Sequence, residues 1–190
     1  MKRKVGLAVL ALLSALGGCR ALPALHYYAL DAANPGTASP PGAVGLIHVR
    51  HIGLPHEMDH LGLTHHLGPT QLAISDYDQW TAPLSVLIQG TMTRDLGARL
   101  GFEHLIAADA VPAGLTQTAL DLDFVSLSAD ETCGISAQVR WTASTPGQGL
   151  RQGSIALAAP AAGCPAGLPA ALSAALGMLA DQLIGPLSAP

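Results

Sequence analysis

The chain has 190 residues, of which 49% are hydrophobic and only 12% are charged, and its formal net charge is -4 at pH 7. The low charge and high apolar content exclude a chain that is disordered throughout, and the length suits one domain with a sizeable core. Three of the nine lysines and arginines lie within residues 1–18, so the rest of the chain carries a net charge of -7, which argues against a nucleic-acid partner.

Residues 1–18 have the layout of an export signal. A basic stretch at 2–4 precedes an uncharged apolar stretch at 5–16, which is far shorter than the roughly 20 residues that span a bilayer. The sequence Leu-Gly-Gly-Cys at 16–19 resembles the lipobox that the lipoprotein signal peptidase cuts. We therefore predict a signal peptide over 1–18 and lipidation of Cys19, with an ordinary secretory signal and a chance cysteine as the alternative.

The residue after the predicted anchor bears on location. Arg20 stands where an aspartate typically retains a lipoprotein in the inner membrane. Several acyl chains on one cysteine would anchor the protein durably, since each buried methylene contributes about 0.8 kcal/mol. We therefore expect a lipid-anchored protein on the periplasmic side of the outer membrane.

The first part of the mature chain predicts strands and loops. A β-favouring run at 26–30 is followed by a loop rich in Ala, Pro and Gly at 31–43, and strand character resumes at 44–52. The histidine- and glycine-containing stretch at 53–68 predicts a polar loop, and 71–75 predicts a short strand.

The clearest helix follows, because apolar residues recur at spacings of three and four along one stripe. The stripe consists of Trp80, Leu84, Leu87, Ile88, Met92, Leu96 and Leu100. We predict that Asp78 or Thr81 caps this helix, that Pro83 lies near its first turn and that Gly101 ends it.

Alternating apolar and polar residues predict strands at 120–124 and 135–142, and the latter forms a hairpin with a strand at 150–157. Cys133 and Cys164 flank this hairpin. With Cys19 acylated, these two form an even pair in an oxidising compartment, which predicts a disulfide, with two separate buried thiols as the alternative.

A second amphipathic helix is predicted to begin near Pro169 and to stop at Gly185-Pro186. Its apolar stripe consists of Leu168, Leu172, Leu176, Leu179 and Leu183. Both apolar stripes can be buried if the two helices pack on one face of a sheet. The predicted fold class is therefore α+β, a mainly antiparallel sheet with two amphipathic helices packed on one face.

Four features, taken in order, resemble the ABC-transport auxiliary lipoprotein family, which includes PqiC-type lipoproteins that work with MCE-domain proteins. They are the lipobox Cys19, Tyr-Ala-Leu at 28–30, Leu-Pro at 54–55 and Trp-Thr-Ala-Pro-Leu at 80–84. Family members commonly follow Leu-Pro with Tyr-Leu-Asp-Arg-Pro-Gln, whereas this chain has His-Glu-Met-Asp-His-Leu-Gly at 56–62.

The resemblance implies a non-enzymatic accessory subunit of an MCE/ABC-type system that moves lipid or organic solutes across the cell envelope. Its partners would be an MCE-domain protein and inner-membrane transporter components, with self-association left open and no cofactor. The expected organisation is a lipidated N-terminus with the first strand and loop at 19–43, and the remainder of a single α+β domain at 44–190. Trp80, Pro83 and Leu84 would set the start of the first helix.

His56, Glu57 and His60 form a formal HExxH, the arrangement that puts two zinc ligands on one helical face beside a general base. Pro55 directly precedes it and Gly62 follows, so little helix can form on either side, which argues against a zinc protease. The alternative function is a divalent-metal site in the His-rich loop at 48–66. Its predicted ligands are His56 and His60 with one of His51, His65 or His66.

Overall fold

Two β-sheets and two α-helices form the part of the chain that the computed structural model describes, which is residues 23–33, 44–106 and 114–188. The predicted signal peptide, Cys19 and most of the predicted loop at 31–43 lie outside the described residues. In chain order the elements are β1 (His26–Tyr28), β2 (Leu46–Gly53), β3 (Gly62–Gly68), β4 (Gln71–Trp80), α1 (Leu84–Leu100), a 3-10 turn (Phe102–His104), β5 (Leu105–Ile106), β6 (Gln117–Ala129), β7 (Ile135–Thr145), β8 (Gly149–Ala159) and α2 (Leu168–Ser188).

The larger sheet has the strand order β5-β2-β6-β7-β8. Strands β6, β7 and β8 form an antiparallel meander, whereas β2 is parallel to both β5 and β6. Parallel neighbours need a long connection, and here β3, β4 and α1 lie between β2 and β6 in the chain. The α+β prediction is confirmed, but the sheets are mixed rather than mainly antiparallel.

The smaller sheet has the order β1-β4-β3, with β1 parallel and β3 antiparallel to β4. The prediction of a polar loop up to Gly68 is wrong, because β3 pairs with β4 along its length. Its sequence, Gly-Leu-Thr-His-His-Leu-Gly, has few apolar residues and does not alternate, so the local pattern does not reveal the strand. The pairing with β4 determines it.

Both helices pack on one face of the larger sheet, as predicted. On β7 the side chains of Ile135, Val139 and Ala143 face the helices and are buried, whereas Arg140 on the opposite face is exposed. Five residues of the α1 stripe are at most 6% exposed, namely Leu84, Ile88, Met92, Leu96 and Leu100. Each such leucine or isoleucine contributes roughly 1.5–3 kcal/mol by leaving water, so this interface is the main apolar core.

The boundaries of α1 differ from the prediction at one end. The helix begins after Pro83, which has no side-chain cap, so the prediction that Asp78 or Thr81 caps it is wrong. Trp80 ends β4 and is 3% exposed, which makes it a core residue. The predicted terminator is confirmed: Gly101 has φ 100°, and its N–H donates to the Gly97 carbonyl at 2.9 Å.

Helix α2 begins as predicted but does not stop at Gly185-Pro186. It continues to Ser188, whose Oγ donates to the Ile184 carbonyl at 2.8 Å. Arg151 of β8 also donates to the Pro186 carbonyl at 2.7 Å, so tertiary contacts hold the last turn. Among the described residues, α2 is the one helix long and apolar enough to cross a bilayer, yet 56% of its most apolar window is buried in the fold, as in a core helix.

Arg99 joins the two helices through a buried polar network. Its Nε donates to Asp181 Oδ1 of α2 at 2.6 Å, and its Nη2 donates to the Gly177 carbonyl at 3.1 Å. Its Nη1 donates to the carbonyl and to Oδ1 of Asp95, one turn earlier in α1, at 3.0 and 3.2 Å. Burial raises the pKa of Asp95 above its usual range, and the positive charge of Arg99 offsets this only in part.

The segment that follows β1 lies against both helices. Arg94 of α1 donates to the Leu30 carbonyl at 3.0 Å, and the N–H of Asp31 donates to Ser173 Oγ of α2 at 3.1 Å. Gly177 allows this close approach, because a Cβ built there would lie 2.3 Å from the Cβ of Ala33. The N-terminal part of the fold is therefore fixed across α2.

We predict that Arg99→Met lowers the free energy of unfolding by about 3 to 5 kcal/mol, because it removes the counter-charge that is hydrogen-bonded to the buried Asp95 carboxylate. The pKa of Asp95 is higher in the folded state than in the unfolded state. Protonation of this carboxyl group therefore stabilises the fold at acid pH, and that stabilisation is lost as the pH rises. The deficit should therefore shrink between pH 8 and pH 5 in urea titrations.

The control is Arg140→Met, which removes an exposed ion pair with Asp123 and should cost less than about 1 kcal/mol. Equal losses in the two variants, or a deficit for Arg99→Met that does not depend on pH, would contradict the role given to the buried network.

The same glycine-to-alanine change at two positions of α2 should have opposite effects. Gly177→Ala should destabilise the fold by about 1 to 3 kcal/mol, because the added methyl group overlaps Ala33. Gly185→Ala meets no atom within 4 Å and should stabilise the helix by up to about 1 kcal/mol. Melting temperatures measured by circular dichroism would reveal the difference, and a stabilising Gly177→Ala would disprove the close crossing.

Candidate functional site

The histidines between residues 48 and 66 are distributed over both sheets and the turn between them. His48 and His51 lie on β2 of the larger sheet, His65 and His66 lie on β3 of the smaller sheet, and His56 and His60 lie in the connecting turn. This stretch is therefore two strands and a turn, and the predicted His-rich loop is wrong as a description of its structure.

The HExxH sequence forms a turn. The N–H of Met58 donates to the Pro55 carbonyl at 2.9 Å, and the Met58 side chain is 3% exposed, so it anchors the turn in the core. His56, Glu57 and His60 are exposed. Because no helix forms here, the two histidines do not share a helical face, which the metalloprotease arrangement requires.

The predicted metal ligands are not brought together. Within the described ranges, the one cluster of three side chains able to hold a metal consists of His65, Cys133 and Cys164. His51 belongs to the larger sheet, and His65 and His66 belong to the smaller one. Sequence reasoning missed the cluster because its members are far apart in the chain and β3 was not predicted as a strand.

The structure joins Cys133 and Cys164 by a disulfide, with their Cα atoms 5.1 Å apart. The bond connects the turn between β6 and β7 to the segment that precedes α2. Cys133 is fully buried and has φ 65°, a left-handed conformation that the surrounding turn imposes. Its N–H donates to the Asp130 carbonyl at 2.8 Å.

Asp130 organises the turn that presents Cys133. Its Oδ1 accepts hydrogen bonds from the Thr132 hydroxyl at 2.7 Å, from the Thr132 N–H at 2.8 Å and from the Gly134 N–H at 2.9 Å. These hydrogen bonds favour the ionised carboxylate and lower the pKa of Asp130. The turn is thus held by local hydrogen bonds as well as by the disulfide.

The face of the larger sheet opposite the helices is polar. Arg50 of β2 pairs with Asp121 of β6, its Nε donating to Oδ1 at 2.9 Å, and Arg140 of β7 lies 3.4 Å from Asp123. Each carboxylate on β6 therefore has an arginine partner on a neighbouring strand. This arrangement suits an ion-paired surface better than a catalytic pair of carboxylates.

The smaller sheet exposes several large apolar side chains in and beside its strands. They are Tyr27, Leu61, Leu67, Ile74 and Tyr77, each between 44% and 63% exposed. We call these five residues the small-sheet apolar group. Sequence reasoning did not single them out, because a helical or alternating pattern does not mark side chains that stay in solvent.

Asp78 fastens β1 to β4 in this sheet. It accepts hydrogen bonds from Ser75 Oγ at 2.9 Å and Tyr28 Oη at 3.2 Å, and His26 Nδ1 lies 3.1 Å away. Burial opposes ionisation of Asp78, but these three hydrogen bonds outweigh it and lower its pKa. Ser75 and His26 both contact the carboxylate rather than each other, so the set does not form a serine nucleophile with a histidine base.

Two solved structures share this fold. One is described as the crystal structure of an uncharacterized protein, with a TM-score of 0.66 and 14% sequence identity, covering 86% of this chain and 99% of that one. The other is the protein XCC0632 from Xanthomonas campestris, of the DUF330 family model, with a TM-score of 0.63 and 16% identity, covering 85% of this chain and 94% of that one. No curated protein matches the chain.

A family model matches residues 28–184, a range that includes β2 to β8, α1 and most of α2. Its description is "ABC-type transport auxiliary lipoprotein component". The match confirms the resemblance inferred from the motifs between Cys19 and Leu84. The chain therefore belongs to the family of ABC-type transport auxiliary lipoprotein components.

Proposed function

We propose that the protein is a membrane-anchored, non-enzymatic accessory subunit of an MCE/ABC-type system that moves lipid or organic solutes across the cell envelope. The observation that carries the proposal is the family match over residues 28–184. The family supports an accessory role in transport at the envelope. The MCE-domain partner, the transported class and the outer-membrane location are our extension of it.

The polar groups of the described residues support a role without catalysis. Asp121 and Asp123 are paired with arginines, and Asp78 is occupied by three hydrogen bonds within the smaller sheet. The HExxH residues lie in an exposed turn. The three carboxylates join neighbouring strands instead of converging on a cleft where a substrate would react.

The position of β1 supports the proposed anchor. Cys19 lies seven positions before His26, and an extended chain covers at most about 3.6 Å per residue, so the lipidated cysteine would lie within roughly 25 Å of β1. The smaller sheet would then be the part of the fold nearest the membrane. The small-sheet apolar group includes two tyrosines, which favour the boundary between lipid and water.

The anchor can be tested with Cys19→Ser. We expect this variant to lose incorporation of radiolabelled palmitate and to leave the membrane fraction, because the serine hydroxyl cannot replace the acylated sulfur. The matched control, Cys133→Ser with Cys164→Ser, keeps Cys19 and should retain the label. Wild-type protein without label, or a Cys19→Ser variant that is still labelled, would refute the anchor.

The transport role can be tested by affinity purification of the full-length protein from its own envelope in mild detergent, with mass spectrometry of the partners. We expect an MCE-domain protein and inner-membrane transporter components, enriched over a control purification of an unrelated outer-membrane lipoprotein of similar abundance. Separation of the membranes on a density gradient should place the protein in the outer-membrane fraction. Recovery of neither class of partner would remove the support for this function.

A further inference from the structure

The His65-Cys133-Cys164 cluster brings three separate parts of the chain together. One ring nitrogen of His65 and both cysteine sulfurs all lie within 4.8 Å of one another. His65 comes from β3, Cys133 from the turn between β6 and β7, and Cys164 from the segment before α2. The fold therefore places an imidazole beside the disulfide, and the disulfide alone does not require one.

The imidazole of His65 has a nitrogen whose hydrogen bonding is unsatisfied. Its Nδ1 is buried and has no hydrogen-bond partner among the described residues. Cys133 is fully buried, and His65 and Cys164 are half-buried. A buried nitrogen without a partner is unfavourable, so a ligand that accepts its lone pair or its proton would be stabilised here.

We propose that the dithiol form of the protein binds one Zn²⁺ ion through His65, Cys133 and Cys164. Thiolate and imidazole are ligands that zinc prefers, and two cysteines with one histidine leave a fourth position for water. With Zn–S distances of about 2.3 Å and Zn–N distances of about 2.0 Å, tetrahedral coordination needs donor separations of roughly 3.5 to 3.8 Å. With their Cα atoms 5.1 Å apart, the reduced cysteines can place their sulfurs at this separation by side-chain rotation, and a His65 ring nitrogen already lies within 4.8 Å of both sulfurs.

An open depression is lined by residues that neighbour two of the ligands in the chain. Its lining includes His66 and Pro69 on one side and Asp130, Glu131 and Thr132 on the other, and its volume is about 440 Å³. His66 follows His65 and Thr132 precedes Cys133 in the chain. His65 and Cys164 are only half-buried, so solvent can reach the edge of the cluster and supply the fourth position.

The disulfide and the zinc site exclude each other, because they use the same two sulfurs. An external dithiol delivers two electrons and two protons to the S–S bond and is itself oxidised to a disulfide, which leaves two thiols on the protein. Binding of Zn²⁺ then releases one proton from each thiol. Zinc at this site would thus protect the cysteines from oxidation, and the oxidised protein would have no site.

The test uses the full-length protein in detergent, reduced with a dithiol that is then removed under argon, and titrated with Zn²⁺ in competition with a chromophoric chelator. We expect one ion per reduced chain and none per oxidised chain. His65→Ala should weaken binding at least tenfold, while the neighbouring His66→Ala should bind as the wild type does. The double variant Cys133→Ser with Cys164→Ser keeps Cys19 and measures any binding outside the cluster.

A second readout covers the case in which the reduced chain is unfolded without metal. Zinc should then restore a cooperative melting transition to the wild type and to His66→Ala but not to His65→Ala, and it should slow reoxidation by glutathione disulfide. Binding no stronger than in the double cysteine variant, or equal binding by His65→Ala and the wild type, would overturn the proposal. The result does not depend on the transport role, because purified protein alone is measured.

Discussion

The buried guanidinium of Arg99 holds the covering layer of the fold together. The larger sheet must bury one apolar face, and two helices share that task, so their relative position has to be fixed. Arg99 fixes it by donating to Asp181 and to the Gly177 carbonyl of α2 from within α1. Gly177 also admits Ala33, so the same place fixes the path of the segment that follows β1.

Local sequence patterns predicted the parts of the fold that depend on local spacing. The stripes of α1 and α2 and the alternation in β6 and β7 indicated elements that exist, because burial of one face imposes that spacing. Features that depend on distant partners were not predictable in this way. Asp78 does not cap α1 because Tyr28 and Ser75 bind it, and contacts of the last turn carry α2 past Pro186.

In the candidate site, too, local patterns predicted some features, whereas others depend on distant partners. Cys133 and Cys164 could be paired from their positions around one hairpin, since antiparallel strands return the chain to its starting point. The presence of His65 beside them depends on β3, a strand whose polar sequence does not alternate, and on how the smaller sheet meets the turn after β6. The HExxH match drew attention to His56 and His60, although the proline before them prevents the helix that would give the motif meaning.

The fastening of residues 29–33 across α2 has a mechanical consequence. A lipid anchor at Cys19 would transmit any force from the membrane along the chain into this segment. There it meets hydrogen bonds from Arg94 to Leu30 and from Asp31 to Ser173, together with the close crossing at Gly177. Because β1 lies between the anchor and this segment, a pull on the tether would load the pairing of β1 with β4 first. The contacts of residues 29–33 with two helices would then keep the separation of β1 from spreading into the core of the domain.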